Sequence, residues 1–295
     1  MLDHMTPGVV YMGFLSNCDD SILRYQLGND FITNSLEHDK GLELLKLINR
    51  SHEDIEVYKK YLGKGIMNDP SKPFYVIVKK INPEIVVSSP ISMEEIQKFH
   101  RYSFELQNEG ATFVRDKLRL MRLFTEGNIV SPLQITYIDL NPPIQLASSF
   151  SLNVVEHEKY HLDESKIDIL SKFIEGNALP FKDKSLNLAF ESFELSYDVS
   201  NTGFALVSCI TAMECLLGDK GSGISCKIAR NLAILLGDDG KPSKDIFDRV
   251  KKLYKKRSRF IHERDNRITI DDVKVGRNLV RSAIINCLRA GIPKT

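Results

Sequence analysis

The chain has 295 residues, 42% of them apolar and 27% charged, with a net charge of +1. That is ordinary globular composition, enough for one large domain or two, and it excludes a disordered or collagen-like chain. The longest apolar runs, such as 204–210, fall far short of the ~18 residues of a membrane span, and Met1-Leu2-Asp3-His4 has no export-signal character, so a cytoplasmic protein is expected.

In chain order, Ser51-His-Glu-Asp54 reads as a capping box that opens a short helix ended by Gly63. Pro73–Lys80 and Glu84–Ser88 are rich in β-branched and aromatic residues and bounded by prolines, which predicts strands. Ser92 caps a long helix running to about Phe124, and strands are expected over Gln134–Leu140 and Ser149–Val155, on either side of Asn141-Pro-Pro143. From about Asp163 the pattern is helical throughout. Helices are predicted over Asp163–Ile174, Lys182–Tyr197, Asn201–Leu217, Ile224–Leu236, from Ser243 onward, and over Asp271–Leu288. Asn201–Leu217 is apolar nearly all round, so it should be the buried central helix, closed by Gly218. The expected architecture is an α+β domain over 1–160, followed by an all-α helical bundle over 161–295.

Five cysteines (Cys18, Cys209, Cys215, Cys226, Cys287) form no C-x-x-C pair, and most lie among apolar residues. That suits buried thiols in a reducing compartment better than disulfides or zinc. His157-Glu158-Lys159-Tyr160-His161 is formally an H-E-x-x-H, which on a helix would set two histidines on one face for zinc with the glutamate as base. The segment follows a strand-like run, however, and the better helix start is Asp163. Glu156 and Lys159 are polar where zinc-protease helices are apolar, and only Glu191 or Glu194 could be nominated as a third ligand. A zinc hydrolase on His157 and His161 is therefore a remote alternative to two surface histidines.

Charge is concentrated elsewhere. Between Lys241 and Arg264 ten Lys/Arg face three acids, so this window carries +7 and the remainder of the chain −6. One concentrated basic element can bind an anion even in a neutral protein. Within it lies Arg257-Ser-Arg-Phe-Ile-His262, an R-x4-H. Arginine is always charged and its planar fork suits phosphate oxygens, whereas histidine can act as acid or base near neutral pH. RNA cleavage by its own 2′-OH needs an acceptor, a proton donor and positive charge on the phosphorane. One histidine is too few for that, and a two-fold dimer supplies the second. In a straight helix the two positions lie about 140° apart. Either the helix ends or kinks between them, or each reaches the substrate from a different side. Ser258, four residues before His262, could orient the imidazole.

Ser243–Glu263, with its Leu-Tyr-x-x-Arg-Ser-x-x-x-His core, resembles the signature of HEPN domains. Ala212-Met-Glu-Cys-Leu-Leu217 and Ile228-Ala-Arg-Asn-Leu-Ala233 are similar to the ApeA-like branch. The resemblance covers about 130 residues, from Asp163 onward, and implies a metal-independent endoribonuclease that dimerises to build a composite site and acts as a toxin or anti-phage effector. It implies Arg257 and His262 as catalytic residues and no cofactor. The position after the arginine, often Asn, Asp or His in the family, is Ser258; this supports the alternative of a non-catalytic module binding RNA or protein. Lys252, Lys255, Lys256 and Arg259 are candidates for holding RNA phosphates. Glu214, in the most apolar helix, needs a partner, with Arg230 or Arg257 the candidates, and is read as structural or as an orienter of the catalytic arginine. Residues 1–160 are expected to sense a trigger, such as a regulatory partner or ligand, or to restrain the nuclease.

Overall fold

The computed structural model describes residues 6–48, 62, 71–150, 158–218, 223–237, 242–263 and 267–290. The chain divides into two compact units, Met1–Ile174 and Glu175–Thr295. The division falls later than the 160/161 boundary drawn from the sequence. The helix expected after Asp163 gathers with the first unit, where Phe173 packs on Phe124 with ring centroids 5.6 Å apart.

In the first unit β1 (Val9–Ser16), β2 (Ile32–Leu36), β3 (Phe74–Ile81), β4 (Val130–Ile138) and β5 (Ile144–Phe150) form one antiparallel sheet in the order β2-β3-β1-β4-β5. Two helices accompany it, α1 (His38–Ile48) and α2 (Met93–Phe124). The central strand β1 is absent from the sequence reading. All eight of its residues are buried, so it shows no polar–apolar alternation. One face joins Met12 and Phe14 to Leu45 of α1 and to Phe74, Val76, Leu133 and Ile135. The other lays the Tyr11 ring on Gly110 of α2, where any Cβ would overlap it.

Ser92 caps α2 as expected: its hydroxyl accepts from Glu95 N at 3.2 Å, and its N–H donates to Glu95 Oε2 at 2.7 Å. Glu84–Ser88, by contrast, is not a strand. Glu84 has φ +57°, a left-handed conformation that interrupts extended backbone, and only Val87 joins a β-bridge. Strand β5 begins earlier than predicted, and 151–155 lie outside the described residues, as does the expected Ser51–Gly63 helix except for Leu62.

After a single 3-10 turn capped by Asp163 comes α3 (Ile167–Glu175). The second unit then holds α4 (Lys184–Asp198), α5 (Thr202–Leu217), α6 (Ile224–Leu235), α7 (Lys244–Glu263) and α8 (Ile270–Ala290). Asp183 and Asn201 cap α4 and α5 through side-chain oxygens. The apolar α5 is the central helix, packed by each of the other four. Two arginines of α8 are buried in this bundle. Arg277 donates through Nε to Ser196 Oγ at 3.0 Å and through Nη2 to the Ser196 carbonyl, and its guanidinium lies 4.0 Å from the Tyr197 ring centroid. Arg281 Nη2 donates to the Tyr197 hydroxyl at 2.7 Å. Among the described residues no helix is long and apolar enough to cross a membrane.

Candidate nucleic-acid interface

The basic window folds as α7. Its Val250, Leu253 and Tyr254 are buried at helical spacing, which leaves most of its cations outside. Contacts from three other helices hold it in place. The Tyr254 hydroxyl donates to Glu214 Oε1 of α5 at 3.2 Å. Lys251 Nζ donates to Ser225 Oγ of α6 at 3.1 Å. Lys256 Nζ meets Asp272 Oδ2 of α8 at 2.5 Å. Asp272 also accepts from the Thr269 N–H at 2.9 Å while its own N–H donates to Thr269 Oγ1 at 3.3 Å, so it completes a capping box at the start of α8. Near the end of α7 the Phe260 ring lies on Gly203, where a Cβ would overlap it, and meets Phe204 edge-on at 5.4 Å.

Between α5, α6 and α7 is an open cleft of about 810 Å³, lined by Glu214, Ile224 and Ser225 together with α7 side chains. Five of those are cations (Lys251, Lys252, Lys255, Arg257, Arg259), against Glu214 and Glu263 as the acids. The half-buried Arg257 has a buried Nε with no hydrogen-bond partner among the described residues. A guanidinium N–H withheld from water and from protein is costly unless something else accepts from it. A smaller hollow of about 220 Å³ adjoins on the Arg259 side, lined by Lys256, Arg259, Arg267 and Ile268.

The arrangement sorts the residues nominated from the sequence. Arg257, Ser258, Lys252, Lys255, Arg259 and Glu214 are brought together in the cleft. His262 is exposed and outside that lining. The helix runs unbroken through Arg257 and His262, so it does not end between them and the two side chains diverge around its axis. Ser258 makes no hydrogen bond to His262. Lys256 lies outside the lining of this cleft and pairs its ammonium with Asp272. The hydrogen-bond partner of Glu214 is Tyr254, rather than Arg230, which is exposed on α6, or Arg257. Tyr254 itself was missed as a site residue, although its position three before Arg257 on the inward face was a readable signal. Burial and the adjoining Glu214 carboxylate push its hydroxyl well above the ordinary tyrosine value, so it remains a donor. For Asp272, burial works against the charge, but the Lys256 ammonium and the Thr269 donors outweigh it and hold the carboxyl below the usual range.

His161 belongs to the first unit. Residues 158–163 are not helical; Tyr160 N donates to Asn17 O at 2.7 Å and His161 Nδ1 to Asp19 Oδ2 at 2.8 Å. The helical spacing that a zinc pair needs is therefore missing on this side of the motif, and His157 lies outside the described residues. Cys18, Cys209 and Cys287 are buried, whereas Cys226 is exposed, with Lys251 Nζ 3.5 Å from its sulfur.

Compared with known proteins, the chain matches no family model, no curated protein and no solved structure. What the cleft does has to be read from its side chains.

Proposed function

We propose that the second unit is a HEPN-like, metal-independent endoribonuclease in which two chains share a composite site. The observation that carries this reading is the cation-lined cleft around Arg257, whose buried Nε has no acceptor among the described residues. A phosphate oxygen is the acceptor that suits a guanidinium, and the neighbouring Lys252, Lys255 and Arg259 extend the favourable field along a strand.

Arg257 holds a non-bridging oxygen of the scissile phosphate. A His262 imidazole takes the proton from the ribose 2′-OH as that oxygen attacks phosphorus. The partner's His262 gives a proton to the departing 5′-oxygen. The products are a 2′,3′-cyclic phosphate and a 5′-hydroxyl. Supplying both acid and base from exposed histidines fits the divergence of Arg257 and His262 on one helix. The apolar surface beside His262, with Phe204 57% and Ile261 44% exposed, is what a second copy would cover. One observation favours a binding module instead: Ser258 makes no hydrogen bond that would orient His262.

An RNA-cleavage time course with EDTA present, comparing wild type with His262→Ala and mapping the fragment ends, tests the reading. Cleavage by wild type alone, leaving cyclic phosphate, is expected. Equal activity in both proteins would remove His262 from the chemistry. Salt-sensitive RNA binding with no cleavage by wild type would favour the binding module.

A further inference from the structure

The cleft contains one group that an anion-binding site should avoid. Glu214 sits among five cations, yet its carboxylate accepts from none of their side chains; its hydrogen-bond partner is the Tyr254 hydroxyl at 3.2 Å. Tyr254 is buried and stays protonated, so it fixes Glu214 Oε1 in place. The other acid of the lining, Glu263, is exposed at the last turn of α7 and has no such anchor among the described residues. A phosphate cannot lie against a fixed carboxylate, so whatever part of a strand faces Glu214 must present hydrogen-bond donors. Ile224, at 36% exposure, supplies an apolar wall on the α6 side of the same cleft, as a base face requires.

The base edges differ in what they offer. An ionised carboxylate accepts only, and Oε1 keeps a lone pair beyond the one used by Tyr254. Guanine places two donors side by side, N1–H and N2–H, matching both carboxylate oxygens. Adenine and cytosine each set a ring-nitrogen acceptor beside their amino donor, which would turn a lone pair toward one carboxylate oxygen. Uracil flanks its single N–H with two carbonyls. We infer that Glu214 is a specificity-determining residue that reads the Watson–Crick edge of an unpaired guanine, while the surrounding lysines and arginines hold the adjoining phosphates. This rests on the RNA reading of the cleft.

The test is fluorescence-anisotropy binding of wild type and Glu214→Gln to short 2′-fluoro oligouridines, which cannot be cut by 2′-attack, carrying G, inosine, A, C or U at the centre. The G-bearing strand should bind wild type about 5- to 150-fold tighter than the A, C and U strands, the discrimination a bidentate pair provides. Inosine, which lacks only the N2 amine, should fall between. Glu214→Gln should erase the preference while salt-dependent binding of all five strands persists, no weaker than that of the U strand to wild type, since a negative charge is removed and glutamine still accepts from Tyr254. Equal wild-type affinity for all five strands would overturn the guanine assignment and leave the RNA reading standing. A preference that survives in Glu214→Gln would overturn the role of Glu214. Failure to bind any strand at low salt would overturn the RNA reading and this inference with it. Competition by free guanosine monophosphate at the same concentration as the strand would overturn a strand as the ligand.

Discussion

The second unit holds its arginines in two contrasting ways. On α8, Arg277 and Arg281 are buried and their donors are committed to Ser196, Tyr197 and Asn278. On α7, Arg257 has a buried Nε with no acceptor among the described residues and opens onto a cleft. The first pair braces α8 against α4: the Ser196 carbonyl near the end of α4 needs a donor that its own helix cannot provide, and Arg277 supplies it. The Nε of the second arginine braces no other group among the described residues. Residue type does not separate these roles; the destination of the N–H groups does.

Exchanging the two residues' fates gives the largest expected effect. Arg257→Ala should lower RNA cleavage by about 10²–10³-fold, as loss of one preorganised donor does, while the urea midpoint stays within about 0.5 kcal/mol of wild type. Arg277→Ala should do the reverse. It should cost about 2–3 kcal/mol by leaving buried Ser196 groups unpaired, with cleavage per folded molecule unchanged. Equal destabilisation by both would abolish the distinction.

Gly203→Ala comes next, because the new methyl displaces Phe260 two residues from His262. A loss of about 1–3 kcal/mol in chemical denaturation is expected, the usual range for overpacking, and cleavage should fall further than the folded fraction. Normal cleavage in a destabilised Gly203→Ala would show that Phe260 does not position the imidazole.

Lysines of α7 with and without a carboxylate partner sharpen the comparison at smaller scale. Lys252→Met and Lys255→Met should each reduce the slope of log affinity against log salt by about 0.7, the value per phosphate for a single strand, without moving stability. Lys256→Met should leave that slope alone and cost about 0.5–1 kcal/mol in a urea titration, because its ammonium belongs to Asp272.

The smallest effect is in pH. The folded-state pKa of Asp272 is depressed, so its contribution is present above the unfolded value of about 3.9 and is lost as pH falls through the folded value. Wild type should therefore lose more stability than Asp272→Asn between neutral and strongly acidic pH, as read from urea midpoints.

The helical half was the more legible in the sequence. Short polar joints and caps such as Asn201 speak locally, and the all-round apolarity of α5 marks the centre of a bundle. The sheet was less so. Its central strand β1 is buried on both faces and has no alternation, and the register that pairs Tyr11 with Thr136 is set by residues over a hundred positions away. Glu84–Ser88 has strand-forming residues but a left-handed first position, which composition does not reveal. At the site, the cluster of cations was visible, but their allocation was not. Whether Lys256 faces a cleft or an aspartate depends on where α8 crosses, and the pairing of Glu214 with Tyr254 depends on the crossing of α5 and α7.

The unbroken run of α7 through Arg257 and His262 makes abundance a control variable under the nuclease reading. One chain carries half of the chemistry pointing away from the other half. Below the dimer dissociation constant the cleavage rate then rises with the square of chain concentration. A tenfold dilution would silence it about a hundredfold with no inhibitor present. Expression level alone would arm or disarm the molecule.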